Sequence, residues 1–387
     1  MSKIDQAYNK AIEVLESCER EVGFHASGLK GGYEAIWARD SMITTLGASL
    51  VGDKFKKSIK KSLETLGKWQ TENGQIPNCV GSFNIDRQSD KTYNSVDSSL
   101  WFIIGHFVYA NAYKDHTLLN AHKDKITKAL IWLRHQDPNE IGMIAQQPTM
   151  DWMDAFPHKY GHVINTQALY YAALSMIGSA KTENARTRLQ KIVNGDIEQY
   201  LSLFDKELGH YLPWNWKNHD GDREQERWFD SLGNVLAIIS GLANKKIATS
   251  ILNFIEKEKI NKPFPLKALW PPIKPSDKEW HSYFSKCDAR EPLNYLNGGI
   301  WPFIGNFYVV ALIKMKKFDQ AKIELENMAE ALMQSMQTRE LKGTYEFNEW
   351  LHGADGDPRG EAYQAWSAGT FIYAYECLKQ REVIYFE

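Results

Sequence analysis

The sequence predicts an all-α protein, an (α/α)6 barrel in which six inner helices are ringed by six outer ones and long loops build a funnel on one face. Three observations carry this prediction. Apolar residues recur at helical period in about twelve segments, while no convincing run alternates as a half-buried strand would. Strongly charged helices alternate with helices almost free of charge. Short and long connections alternate in step with them.

The segments lie near residues 3–22, 40–52, 54–71, 97–113, 118–135, 165–179, 183–202, 227–242, 245–259, 299–315, 318–337 and 361–380. The first, opening "MSKIDQAYNKAIEV", is amphipathic with early charges and lacks the apolar stretch of a secretory signal. The third, "KFKKSIKKSLETLGKW", places Phe55, Ile59, Leu63 and Leu66 on one face and its lysines elsewhere. The fifth, seventh, ninth and eleventh follow it, the last reading "KKFDQAKIELENMAEALM". These helices have a face for solvent. Between them come "SSLWFIIGHFVYANAY", "INTQALYYAALSMIGSA", "SLGNVLAIISGLA", "GGIWPFIGNFYVVALI" and "AYQAWSAGTFIYAY", which are nearly uncharged and must be surrounded by protein.

An uncharged helix passes to its charged successor through a few residues. The link from each charged helix to the next uncharged one runs to roughly 14 to 40 residues, far above the 2 to 8 usual in bundles. With the uncharged helices inside, all the long loops emerge at the N-terminal ends of the inner ring. One domain over residues 1–387 is expected, since neither a repeat motif nor a low-complexity linker divides the chain.

Composition narrows the function. A net charge of -2 with 24% charged residues gives no electrostatic reason to seek nucleic acid or a membrane surface. The longest uncharged runs, near 163–180 and 293–313, carry Asn, Gln, Gly and Pro, which argues against a membrane span. Four scattered cysteines with no CxxC pair read as reduced thiols, so a cytoplasmic location is expected. The unusual feature is 13 Trp, 18 Tyr and 17 Phe, many of them core residues, a count that also suits a site stacking rings on flat apolar ligand faces.

Each long loop ends in a polar, aromatic, Gly-containing cluster at its inner helix: "GGYEAIWARDS", "YNSVDSSLW", "TMDWMDAFPHKYGHVINTQ", "DREQERWFDSLGN", "PLNYLNGGIWP" and "YEFNEWLHGADGDPRGEAYQAWS". Carboxylates and Trp thus converge from around the ring, with helix N-termini adding N–H donors. Asp40, Asp97 and Asp230 sit where N-caps belong, and Trp101, Trp301 and Trp366 lie within inner helices as core residues would. Six such clusters on one face exceed what capping explains. His158 and His162 share i, i+4 spacing, but Pro157 and Gly161 break the helix that a metal site of that spacing needs, so no metal is expected. No GxSxG, phosphate loop or dinucleotide fingerprint occurs, and no cofactor is expected.

"WMDA" followed by "NTQALYYAAL", with "YNSVDSSLWF" and "GDPRGEAYQAWS", resembles the amylo-alpha-1,6-glucosidase domain of glycogen debranching enzymes. "RWFDSLGNVLAIISGLA" and "NGGIWPF" are similar to neutral/alkaline invertases. Both are inverting glycoside hydrolases on (α/α)6 barrels. The resemblance implies that Asp154 is the general acid and Glu349 of "NEWLHG" the general base, and that Trp37, Arg39 and Asp40 of "WARD" hold a glucosyl ring. Asp97, Trp101, Asp151, Trp152, Gln167, Asp230, Asn297, Trp301, His352, Gln364 and Trp366 are expected to line the same pocket.

The chemistry agrees with that assignment. An acetal oxygen leaves badly as an alkoxide, so one carboxyl must stay protonated beside it while another, ionised, activates water. Asp154 between Trp152 and Phe156 is placed to have a raised pKa, whereas Asp151 caps or binds a hydroxyl. The last loop offers Glu346, Glu349, Asp355, Asp357 and Glu361, which leaves its base open among them. The expected activity is exo-hydrolysis of a small α-glucoside of the α-1,6 or malto-oligosaccharide type. Alternatives are sucrose hydrolysis, a barrel epimerase using paired histidines, and a non-catalytic carbohydrate-binding protein. A small sugar is the expected partner, and the oligomeric state is left open.

Overall fold

The computed structural model describes residues 1–81, 90–217, 222–336 and 345–386. Among these residues lie thirteen α-helices: α1 Lys3–Cys18, α2 Ala38–Ala48, α3 Lys56–Lys68, α4 Asp97–Tyr113, α5 Thr117–Ala121, α6 Lys123–Arg134, α7 Ile164–Ile177, α8 Ala180–Val193, α9 Ser231–Ser240, α10 Lys245–Lys257, α11 Pro302–Lys314, α12 Phe318–Leu332 and α13 Ala365–Gln380. All twelve expected segments are helical. The fifth is split at His122 into α5 and α6.

The inner helices α2, α4, α7, α9, α11 and α13 pack each on the next, and α13 packs back on α2 to close an (α/α)6 ring. Outside, α3, α6, α8, α10 and α12 cover their inner partners, while α1 seals the seam between α12 and α13. Burial follows the charge pattern. Every residue of α7 from Ile164 to Leu174 is buried, whereas α10 buries Ile247, Ala248, Ile251, Leu252 and Ile255, a stripe at steps of three and four. Side-chain caps start several helices: Ser2 with Asp5 on α1, Ser179 with Thr182 on α8, and Asn244 on α10. Gly178 and Gly241, both left-handed, stop α7 and α9.

The ring closes on two glycines. A Cβ at Gly369 of α13 would lie 2.6 Å from the Thr44 Cα of α2, and one at Gly47 would run into the Gly369 carbonyl. Glycine inside a helix costs roughly 0.5–1 kcal/mol against alanine. Here that cost permits two backbones to touch.

Strands were not expected, yet short ones feed the inner helices. Ala35–Trp37 pairs with Cys79–Gly81 and runs straight into α2; Gly161–Val163 pairs with both Ala145–Gln146 and Trp214–Lys217 and runs into α7; Phe229–Asp230 pairs with Leu269–Trp270 and runs into α9. Single bridges join Ile300 to Leu351 and Ser27 to Gln364. These ladders also correct three predicted helix limits. The first helix ends at Cys18, where Glu19–Arg20 turns back on Gly23–Phe24, and the segments expected from 227 and 361 begin at Ser231 and Ala365. The partners of Asp230 and Gln364 are distant in sequence, so local periodicity had no signal for them, and the hairpin at Glu19–Arg20 has strands of two residues, too short to show an alternation. The segment expected at 183–202 runs instead from Ala180 to Val193, with a separate 3-10 turn at Gln199–Leu201. Position 337, the expected end of the eleventh segment, lies outside the described residues. No helix among those described is long and apolar enough to cross a membrane.

Candidate active site

The N-terminal face of the inner ring gathers charge around Arg39. This residue and Asp40 lie in the first turn of α2, and Asp97 is the first residue of α4. The Arg39 guanidinium, nearly buried, reaches Asp97 at 3.0 Å, Asp154 at 3.7 Å and Asp40 at 3.9 Å, so three loops meet at one cation. Asp40 and Asp97 are therefore not N-caps. They sit inside their helices, and their carboxylates answer Arg39 instead. Burial pushes Asp97 up, with Arg39 opposing.

Asp154 comes from the third long loop and keeps 37% of its side chain exposed. Its enclosure by the loops pushes its carboxyl up to about 6, with Asp97 and Asp151 adding to the rise and Arg39 opposing it. Asp40 is likewise held at about 6, chiefly by burial.

Glu349 stands on the sixth long loop, beside a cavity of about 450 Å3 that it lines with Tyr33, Tyr295, Trp350 and Glu361. Its two oxygens have separate donors: the Tyr33 hydroxyl at 3.1 Å on Oε1 and the Glu361 N–H at 3.1 Å on Oε2. Burial lifts it to about 7 despite these bonds. Gly360, with φ +67°, makes the approach possible, because a Cβ there would strike Glu349 Oε2. Asp154 does not line this cavity, but the Tyr295 phenol does, and it is pushed well above its ordinary value by burial and then by Glu349 and Asp154. Both carboxyls thus act on one ring.

Within the last loop the structure separates the candidate bases. Glu349 and Glu361 line the cavity, Asp355 and Asp357 stand on an exposed turn, and Glu346 is buried where it accepts the Met336 N–H. His352 belongs to the turn: its ring bonds Asp355 at 2.9 Å and its N–H bonds the Asp357 carbonyl.

Three of the expected tryptophans pack into one aromatic cluster. Trp152 meets Trp301 and Phe303 edge-on, each at 5.5 Å, and Trp366 stacks on Phe303 at 4.1 Å. The Trp152 and Trp366 indole N–H groups and the Gln364 amide nitrogen are buried without a protein acceptor among the described residues. Trp37 closes the strand before α2, its ring edge-on to Tyr33. Trp101 lies wholly in the core, and Trp301 is the N-cap residue of α11 rather than part of the helix body.

Four residues expected to line the pocket are spent on the fold. Gln167 bonds the Ile144 N–H and carbonyl, and Asn297 bonds the Ile273 N–H and carbonyl, so each staples a loop. Asp151 and Asp230 are fully buried around Lys159. A buried carboxylate already paired with its counter-ion is not free to bind sugar. Tyr33, Tyr295 and Lys159 are not among the expected site residues, although each stands inside one of the quoted clusters. From the long connection between α10 and α11, Asp288, Arg290, Glu291 and Asn294 wall the Glu349 cavity. Among the described residues no group of three or more His, Cys, Asp or Glu could hold a metal ion, and His158 and His162 diverge, one to Tyr283 and the other to Asn215.

Residues 21–373 match the amylo-alpha-1,6-glucosidase family. The chain belongs to that family of glycoside hydrolases. It is also 31% identical to the probable alkaline/neutral invertase F of Arabidopsis thaliana, over 90% of this chain and 81% of that protein. Against the probable alkaline/neutral invertase A of Arabidopsis, a chloroplast protein, identity is 24% over 74% of this chain and 52% of the relative, so the chain spans about half the length of such relatives. Among solved structures, a GH63 mannosylglycerate hydrolase from Thermus thermophilus superposes with a TM-score of 0.68, covering 95% of this chain and 99% of that one at 16% identity. A bacterial glucoamylase complexed with acarbose gives 0.65 at 14% identity, over 98% of this chain and 56% of the other. At such identities the likeness shows the shared (α/α)6 fold of the family.

Proposed function

We propose that this chain hydrolyses a small α-glucoside with inversion, Asp154 protonating the leaving oxygen and Glu349 activating water. The observation that carries the reading is topological. Asp154 precedes α7, third in the ring, and Glu349 precedes α13, sixth in the ring, so the two loops face each other across the barrel. An inverting pair has to work from opposite faces of a sugar.

The surroundings suit each role. Burial holds Glu349 at about 7, and the hydrogen bond accepted by each of its oxygens works against that rise, toward the ionised form required of a base. Asp154 is lifted toward neutrality, as an acid requires. A volume of about 450 Å3 is within the range of small-ligand pockets.

A second reading, sucrose as the substrate, is favoured by the identity to the Arabidopsis invertases. Both are tested by incubating the protein with maltose, isomaltose, panose, sucrose, trehalose, glucosylglycerate and mannosylglycerate and following the anomeric proton by NMR. β-Glucose from an α-linked substrate is expected. Appearance of the cleaved glucosyl residue first as α-glucose would refute inversion, and turnover of mannosylglycerate alone would refute the glucosyl assignment.

A further inference from the structure

Lys159 lies five residues beyond the proposed acid, is 1% exposed, and takes no part in the chemistry proposed above. Its ammonium stands 2.9 Å from Asp151 Oδ2 and 3.0 Å from Asp230 Oδ2, and both carboxylates are fully buried. Burial alone would push Lys159 down, but the two aspartates outweigh it and hold it above its ordinary value. Taking three charges out of water costs several kcal/mol per ion, and an apolar filling of the same volume is often as stable. A stability role alone gives little reason to keep the triad.

Its connections give a better one. Asp151 Oδ1 accepts the Met153 N–H at 2.9 Å, immediately before Asp154, and Oδ2 also accepts the Gln146 amide at 3.2 Å. Gln146 in turn accepts the Thr166 hydroxyl of α7 at 2.5 Å. On the far side, Asp230 Oδ1 caps α9 through the Gly233 N–H at 3.0 Å. An unbroken line of bonds therefore runs from α7, through the acid's loop, to the first turn of α9. The Asp154 carboxyl makes a long ion pair of 3.7 Å to Arg39, and the backbone just before it is held by Asp151.

The geometry points to Lys159 as a positioning residue: by bridging Asp151 to Asp230 it anchors the loop carrying Asp154 to the N-terminus of α9. This inference rests on Asp154 being the general acid. A displacement of about 1 Å at a reacting group can cost roughly 10²-fold in rate. The clamp therefore acts on proton donation to the leaving group.

The test compares Lys159→Met with wild type on two substrates, the glycoside found by the panel above and the matching glycosyl fluoride, whose leaving group departs as fluoride without taking a proton from the acid. The expected result is a loss of roughly 10²-fold on the glycoside, mostly in kcat, with hydrolysis of the fluoride close to wild type. Equal losses on both substrates, or no loss on either, would overturn the proposal. If Lys159→Met does not fold, Asp230→Asn carries the same comparison, because its amide oxygen still caps Gly233 while one arm of the clamp is gone. Amide hydrogen exchange provides a readout independent of turnover. Faster exchange across residues 146–163 in the folded variant supports the clamp, and unchanged exchange there refutes it. If wild type hydrolyses nothing, the assignment of Asp154 fails separately, and the exchange result still decides whether Lys159 anchors the loop.

Discussion

Two carboxyls with raised pKa values, Asp154 at about 6 and Glu349 at about 7, define the chemistry at the scale of single residues. Below that range a protonated Glu349 cannot take a proton from water, and above it an ionised Asp154 cannot give one. The pH profile of kcat/KM should therefore be bell-shaped with its optimum between about 6 and about 7, its two limbs belonging to the coupled pair. Asp154→Asn and Glu349→Gln should each lower kcat roughly 10²- to 10⁴-fold in steady-state assays, with folding intact by circular dichroism. Glu349 also predicts a stability effect. Between its ordinary value of 4.5 and about 7 the folded chain holds a proton that the unfolded chain has released, so this group makes stability fall as pH rises through that window. Glu349→Gln should thus raise the melting temperature over wild type by more near pH 8 than near pH 5. An equal change at both values would show that burial of the charge is not what lifts the group.

At the scale of elements, the contact of α2 with α13 is the most demanding. Gly47 and Gly369 bring the two backbones together where any Cβ would collide. Gly369→Ala should cost roughly 1–3 kcal/mol in chemical denaturation, opposite in sign to the gain from a better helix former in a helix with open space. The helices themselves were legible in the sequence because burial on one side or on all sides imposes its own composition. α10 reads as a stripe and α7 as an uncharged run. The strands feeding α2, α7 and α9 were not legible, since pairs such as Phe229 with Trp270 are made by residues far apart in the chain. The same holds within the site. "WMDA" and "NEWLHG" show which carboxylates to consider, but the retirement of Asp355 and Asp357 to an exposed turn is a fact of the folded loop.

For the whole molecule, ring closure makes the first and last inner helices neighbours. Removing residues 365–387 would open the ring and bare the faces that α2, α11 and α1 present to α13. Such a truncation should lose its cooperative thermal transition altogether, and a sharp transition in the shortened chain would show that the ring tolerates a gap. By itself the sequence determined the helix inventory, the alternation of inner and outer layers, the face on which the loops gather, and the residue types that converge there. All of these follow from periodicity and charge, which each helix carries locally. Only the tertiary structure decided which polar residues serve the pocket and which serve the fold. Asp151, Gln167, Asp230 and Asn297 are bound to partners inside the protein, while Tyr33 and Tyr295 stand beside Glu349. A side chain's partner depends on which loop lies across from it, and that neighbour is set by the closure of the ring.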